Sequence, residues 1–330
     1  MRYLITGVSG FIGYHLTKEL RNAGIDVCGF GNSRVWCPVW DRETREQLSF
    51  YDDVDLLDVC SIHNFLAKAQ PDGIFHLAAE ASIVVSRKNP VRAYNANIIG
   101  TENLLRAVKR CGCDLDFVHL SSSSDVYGPP PPGDTTQVIT EDAPVYPSNP
   151  YGISKLTMEM IGARYSREEN VPVFVTRLFT TTGPGQYDDS ALGSFSKQIA
   201  MICNGRQEPI VRTGNLQNER TFQDVRDVVR AYHAISKMEV YRDFSENIYN
   251  ISGGRHILQD LLNTLIEIAP FSKEIKHETN ESLVRKNDIT LQVGDQSRLE
   301  ARTNFKHCYD MRETLRDMVE WWLEKGYNYD

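Results

Sequence analysis

Up to Leu178, short apolar runs alternate with longer stretches whose apolar residues recur every third or fourth position. The runs are RYLIT (2–6), DVCGF (26–30), DGIFHLA (72–78), LDFVHLS (115–121) and VPVFVTRL (171–178). Unbroken runs of this kind fit strands buried on both faces, and FIGYHLTKELRNAG (11–24) and NANIIGTENLLRAVKRCG (95–112) fit amphipathic helices between them. Strands and helices taken in turn predict an α/β fold, a doubly wound parallel sheet covered on both sides. After Arg177 the rhythm changes. TTTGPGQYDD (180–189) reads as loop, SFSKQIAMICNG (194–205) as helix, EPIVRTGNL (208–216) as extended chain, and NIYNIS (247–252) as a strand able to rejoin the large sheet. The expected division is a larger unit of 1–178 and 222–250, interleaved with a smaller α/β unit of 179–221 and 251–330. The prolines of GPPPPGD, from Gly128, exclude helix and mark a surface loop.

Composition narrows the class. A chain of 330 residues with 41% apolar content can bury a large core, and no apolar run reaches the length of a membrane span. MRYLITG enters a strand at once, without a signal core, so a cytoplasmic location is expected. A net charge of −8 argues against a nucleic-acid surface. Seven cysteines, with Cys111 and Cys113 the closest pair, read as free thiols, and no metal site is expected because ligand pairs at metal spacing are missing.

GVSGFIG (7–13) follows the first strand and opens the first helix at Phe11 and Ile12. Gly7, Gly10 and Gly13 stand where small residues let backbone N–H groups approach a pyrophosphate at a helix N-terminus. The second strand ends in GFGNSR, without the acidic residue that would hold the ribose 2′-hydroxyl of NAD. Asn32 and Arg34 stand there instead, so NADP(H) is favoured and NAD(H) is the alternative. Asp58 could accept from an adenine amino group or cap a helix.

Two further stretches carry chemistry. SSSSDVYG (121–128) gathers four hydroxyls and the carboxylate of Asp125 at a strand end, and NPYGISK (149–155) sets Tyr151 and Lys155 one helical turn apart. On one helix face the ammonium is expected to lower the phenol's pKa, making Tyr151 a general acid or base. His76 and His119 lie in apolar runs and read as structural, and Trp36 and Trp40 read as packing of a long loop.

These motifs, with FHLAAE, YNANIIGTENLL, ITEDAPVYPSNPYGISK and GPGQ in the same order, resemble the extended short-chain dehydrogenases/reductases of the sugar-nucleotide epimerase and dehydratase class nearly end to end. SFSKQIAMICNGRQEPIVRTGNLQNERTFQDVRDVVRAY and LVRKNDITLQVGDQSRL most resemble the GDP-4-keto-6-deoxy-mannose reductases. The resemblance implies a Rossmann-type larger unit that binds the dinucleotide and a smaller unit that binds a sugar nucleotide. It implies Tyr151 as acid/base, Lys155 as its partner, Ser123 as the hydroxyl that meets the C4 oxygen, and Asp125 beside them. Val59, Leu77, Ala78, Ala79, Asn97, Ser121 and Leu178 would line the cofactor. Arg220 and Arg285 would hold the nucleotide diphosphate, and Ser82, Ser124, Thr180, Lys197 and Arg212 would serve as further substrate contacts. A homodimer formed through the segments after Pro90 and Tyr151 is also implied.

Two departures fall near the sugar. RLFT replaces the family's RPFN, putting Thr180 in place of an asparagine, and HLAAEAS carries Ala81 where relatives often have serine. A dehydratase commonly draws its acid and base from the two positions before V-Y-G; here these are Ser124 and Asp125, one carboxylate only. The leading expectation is therefore NAD(P)H-dependent reduction at C4 of a nucleotide-linked 4-keto-6-deoxy sugar, GDP-linked first. A 4,6-dehydratase or epimerase that uses its cofactor transiently is the alternative. A cofactor-binding regulatory protein without activity is a third reading.

Overall fold

The computed structural model describes residues 1–31, 42–130, 138–284 and 291–324. Asn32, Arg34, Trp36, Trp40, Arg285 and the later part of the proline loop lie outside them. In chain order the first strands are β1 (Arg2–Thr6), β2 (Asp26–Gly31), β3 (Phe50–Asp53), β4 (Gly73–His76), β5 (Phe117–Ser123), β6 (Val138–Ile139) and β7 (Val173–Leu178). There follow β8 (Thr180–Thr182), β9 (Ile210–Thr213), β10 (Glu219–Asp224), β11 (Ile248–Ile251), β12 (Gly254–Ile257), β13 (Lys276–Thr279) and β14 (Leu291–Gly294).

Among the described residues seven strands form one sheet in the order β11-β7-β5-β4-β1-β2-β3, every neighbouring pair parallel. Side chains alternate across it. Leu4 joins Cys28, Ile74 and Val118 in the core on one face, and Tyr3 and Ile5 join Val27, Phe75 and Phe117 in the core on the other. Covering both faces is what the unbroken apolar runs require. β1 pairs with both β2 and β4, so successive crossovers leave it in opposite directions. The loops after β1 and β4 therefore meet at the carboxyl edge, where doubly wound folds bind ligands.

A second sheet runs β12-β10-β14-β6, with β8 beside β10. Helices Ala191–Cys203, Leu258–Ile268 and Met311–Glu324 pack a third core around Phe195, Phe222, Leu262 and Leu315. β11 does return to the large sheet, beside β7. Several pieces lie elsewhere than the sequence boundaries placed them: β6, within 1–178, pairs with β14 of the second sheet, Phe222 to Asp224 of β10 stay in that sheet beside β8, and Leu299 and Phe305 join the core of the large sheet. The cysteines also correct an expectation. Helix Gly100–Cys111 ends, the chain turns at Gly112, and Cys111 and Cys113 meet as a disulfide, whereas Cys28, Cys60, Cys203 and Cys308 are free. Spacing alone did not reveal that the turn brings the two sulfurs together. Among the described residues no helix is long and apolar enough to cross a membrane.

Candidate active site

The chain leaves β1 at Gly7 with φ +69°, and the Gly7 N–H donates to the Phe30 carbonyl at 2.8 Å. A Cβ at Gly7 would stand 2.8 Å from both Cα and N of Ala78. Glycine is required there by conformation and by space. The same contact sets the first loop against the Leu77–Ala78 peptide after β4, just before Ala79. Helix Phe11–Asn22 opens at Gly10 with no side-chain cap and no acidic residue in its first turn, so no carboxylate of that turn competes at the positive end, Phe11, Ile12 and Gly13. This glycine-lined, uncapped helix start fits a dinucleotide pyrophosphate. Asp58, with Val59 behind it, caps helix Val59–Ala69: it accepts from Cys60 N at 3.0 Å, from Ser61 N at 3.2 Å and from the Ser61 hydroxyl.

Beneath the cradle, His76 Nδ1 meets the Thr6 hydroxyl at 2.7 Å and Nε2 meets the Thr101 hydroxyl at 3.0 Å; burial pushes its imidazole down to about 3. His119 is buried against Thr176 at 2.8 Å and also held neutral. Both are structural. Asn97 sits in a π-helical turn, Asn95–Ile99, of a kind frequent at functional sites. Its amide accepts from Glu80 N at 2.8 Å and donates to the Glu80 carbonyl at 3.1 Å and to the Ser154 hydroxyl at 2.8 Å. The loop after β4 is thereby stitched to helix Pro150–Glu169, which carries Tyr151 and Lys155. The Glu80 carboxylate pairs with Arg92 at 2.7 Å and accepts from N of Ser82, the cap of helix Ile83–Lys88.

The four serines at the end of β5 have four different environments. Ser121 meets the Tyr232 hydroxyl at 3.0 Å, and its carbonyl accepts from Lys155 Nζ at 2.7 Å. Ser122 donates to buried Glu159, which pairs with Arg177 at 2.8 Å. The Ser123 hydroxyl, level with Leu178 of β7, accepts from Asp125 N at 3.2 Å and donates to Asp125 Oδ2 at 3.3 Å. Ser124 is buried, and its carbonyl accepts from Gln292 of β14 at 3.1 Å. Asp125 Oδ1 accepts from Asn149 Nδ2 at 2.9 Å.

Lys155 Nζ lies 5.9 Å from the centre of the Tyr151 ring. The expected lowering of the phenol's pKa is not found. Burial, and then the charge of Asp125, push Tyr151 above its ordinary value, outweighing the hydrogen bond of Ser123, which pulls the other way. Lys155 is the group that moves down, to about 8, because burial of its ammonium outweighs the attraction of Glu159.

On the substrate side, Thr180 of β8 is level with Phe222 of β10, and Arg220 of β10 is level with His256 and Gln292. Lys197 pairs with Asp188 at 2.9 Å and lies over the Trp322 ring. Arg212 is exposed on β9, 3.8 Å from Glu278. Among the described residues no side-chain contact joins either of them to the Ser123 cluster. Sequence reasoning missed Asn149, Glu159, Arg177, Tyr232 and Glu80. Only Asn149 left a local signal, a capping residue before a helix-opening proline.

A parallel sheet with a glycine cradle at its switch point, Ser123 at the end of β5, and Tyr151 and Lys155 on helix Pro150–Glu169 is the architecture of an NAD(P)-dependent oxidoreductase of the extended short-chain dehydrogenase/reductase class, and the family and relatives make it an enzyme that modifies sugar nucleotides. The family model described as GDP-mannose 4,6 dehydratase matches residues 4–318, and the chain belongs to that family. GDP-6-deoxy-D-mannose reductase of Pseudomonas aeruginosa is 30% identical over 325 residues, covering 97% of each chain. A probable UDP-glucuronate 4-epimerase of Rhizobium meliloti is 29% identical over 98% of this chain and 97% of its own. Among solved structures, RMD from Pseudomonas aeruginosa complexed with NADPH matches with a TM-score of 0.82 at 28% identity, over 98% of both chains.

Proposed function

We propose that the protein reduces C4 of a nucleotide-linked 4-keto-6-deoxy sugar, GDP-linked in the first instance, with NADPH favoured over NADH. The observation that carries this reading is the state of the turn before V-Y-G: its one carboxylate, Asp125, is committed to the amide of Asn149 and the hydroxyl of Ser123. That arrangement suits orientation and leaves no second carboxylate at Ser124 for dehydration. A nicotinamide bound along the Gly7–Ala78 cradle would supply the hydride.

The chain's own residues do the rest. Tyr151, its phenol kept protonated, delivers a proton to the C4 oxygen. Ser123 hydrogen-bonds the same oxygen as negative charge develops. Lys155, anchored on the Ser121 carbonyl, supplies a cation behind Tyr151. Arg220 and Arg285 grip the diphosphate as guanidinium forks, with Ser82, Ser124 and Thr180 toward the sugar. The lean to NADPH rests on Asn32 and Arg34 and on the NADPH complex of the Pseudomonas aeruginosa relative. Two copies would meet through the exposed apolar residues Val91, Ile99, Ile153 and Met160, which lie on the segments expected to form a dimer.

The epimerase or dehydratase reading keeps the support of the family model, described as GDP-mannose 4,6 dehydratase, and of the 29% identical relative named as a probable epimerase. The intact Ser123, Tyr151 and Lys155 argue against an inactive protein. The test is a turnover screen across GDP-, UDP-, dTDP- and CDP-linked 4-keto-6-deoxy sugars, following cofactor redox state and product together. Oxidation of NADPH or NADH with at least one of them is expected, and its failure with all of them would rule the reductase out.

A further inference from the structure

We propose that Asn149 is a positioning residue that makes one rigid piece of the two halves of the catalytic site, the Ser123–Asp125 turn after β5 and the first turn of helix Pro150–Glu169. The inference rests on the reading of Ser123 and Tyr151 as the groups that meet the C4 oxygen.

Asn149 is 5% exposed, and both ends of its amide are used. Oδ1 accepts from Gly152 N at 2.9 Å and caps the helix, while Nδ2 donates to Asp125 Oδ1 at 2.9 Å. The other carboxylate oxygen of Asp125 accepts from the Ser123 hydroxyl, which in turn accepts from the Asp125 N–H. A hydrogen-bonded path thus runs from the helix start to the Ser123 hydroxyl. A second contact holds the same two pieces together. A Cβ at Gly152 would stand 2.6 Å from the Asp125 carbonyl oxygen, so the first helical turn lies directly against the backbone of the serine turn. Tyr151 is the residue before Gly152 and two after Asn149.

Capping alone does not call for an amide, because serine and aspartate cap as well as asparagine. What the amide adds is a second atom, Nδ2, that donates to Asp125 while Oδ1 holds the cap. Two groups that must converge on one oxygen gain from such a clamp, since misplacement by about 1 Å can cost about a hundredfold in rate. Asp125 then acts as the acceptor that passes the hold of Asn149 on to Ser123.

Asn149→Ser tests this because it keeps a capping oxygen and removes the separate amide N–H₂ that donates to Asp125. It should melt close to the wild type, with KM for the sugar nucleotide and Kd for NADPH within about twofold while kcat falls by about ten- to a hundredfold. Asn149→Ala should show the same loss of kcat and a lower melting temperature as well. Combined with Asp125→Ala, Asn149→Ser should add little, because both break one path. A kcat for Asn149→Ser within twofold of wild type, or losses that multiply in the double variant, would overturn the proposal. Wild type run alongside separates the two ideas. If it oxidises no NADPH or NADH with any 4-keto substrate, the reductase reading fails, and the same variants are then compared in whichever sugar-nucleotide reaction the wild type does catalyse.

Discussion

Lys155 Nζ donates to the carbonyl of Ser121 at 2.7 Å, fixing the cation on helix Pro150–Glu169 to the end of the central strand β5. The pair is buried, and that burial sets the first prediction. Lys155 is pushed down to about 8 from an ordinary value of 10.5. Below pH 8 it is charged; above, it is neutral. Whatever depends on its charge is therefore present below about pH 8 and fades as pH rises through it. Cofactor affinity, titrated between about pH 6.5 and 9.5, should weaken on the alkaline side, and Lys155→Met should flatten the profile. Stability has the opposite sense. The unfolded chain binds more protons between 8 and 10.5, so this group's contribution to stability is smallest below 8 and increases through that window.

Tyr151→Phe removes the proton donor and leaves the packing of the ring. Turnover should fall by about a hundred- to ten-thousandfold, with NADPH affinity within about threefold of wild type. Steady-state kinetics beside fluorescence titration of NADPH would check both halves. Retained turnover would take Tyr151 out of its assigned role.

Glu159 and Arg177 form a buried pair at 2.8 Å, and Arg177 also donates to the Tyr127 hydroxyl at 3.0 Å. Removing one charge strands the other away from water. Glu159→Gln should cost roughly 3–5 kcal/mol of stability in urea unfolding. A loss below about 1 kcal/mol would show that the pair is solvated, as exposed pairs are.

Gly7→Ala would force a side chain onto a backbone at φ +69° and onto Ala78 at 2.8 Å. Strain of roughly 1–3 kcal/mol is expected in thermal or urea unfolding. Loss of cofactor affinity should accompany it, because the loops after β1 and β4 would be wedged apart.

Six of the seven strands of the large sheet were legible, because short apolar runs rich in β-branched and aromatic residues alternate with longer amphipathic stretches; β3, an edge strand exposed at Asp52 and Asp53, left no such run. The glycine cradle was legible for a related reason: its requirement is local, a turn and a helix start. Tyr151 and Lys155 were legible as a pair, but their electrostatics were not. Spacing shows that an ammonium lies near a phenol; it does not show how deeply both are buried, and burial decided the direction of both shifts. Asn149, Glu159 and Arg177 act through partners distant in sequence, so only the fold reveals what they do. The same holds for the Cys111–Cys113 disulfide, which depends on the turn at Gly112. Lys197 and Arg212, chosen by resemblance, are occupied with Asp188 and Glu278.

Net reduction at C4, as against epimerisation or dehydration, shows in the fate of the cofactor's hydrogen. The protein would be given GDP-4-keto-6-deoxy-mannose and NADPH deuterated at C4 of the nicotinamide, and the product read by mass spectrometry and NMR. Deuterium at C4 of the sugar, with one cofactor oxidised for each product formed, is the predicted result. A 4-epimer or 4,6-dehydrated product formed without net oxidation of cofactor would contradict it.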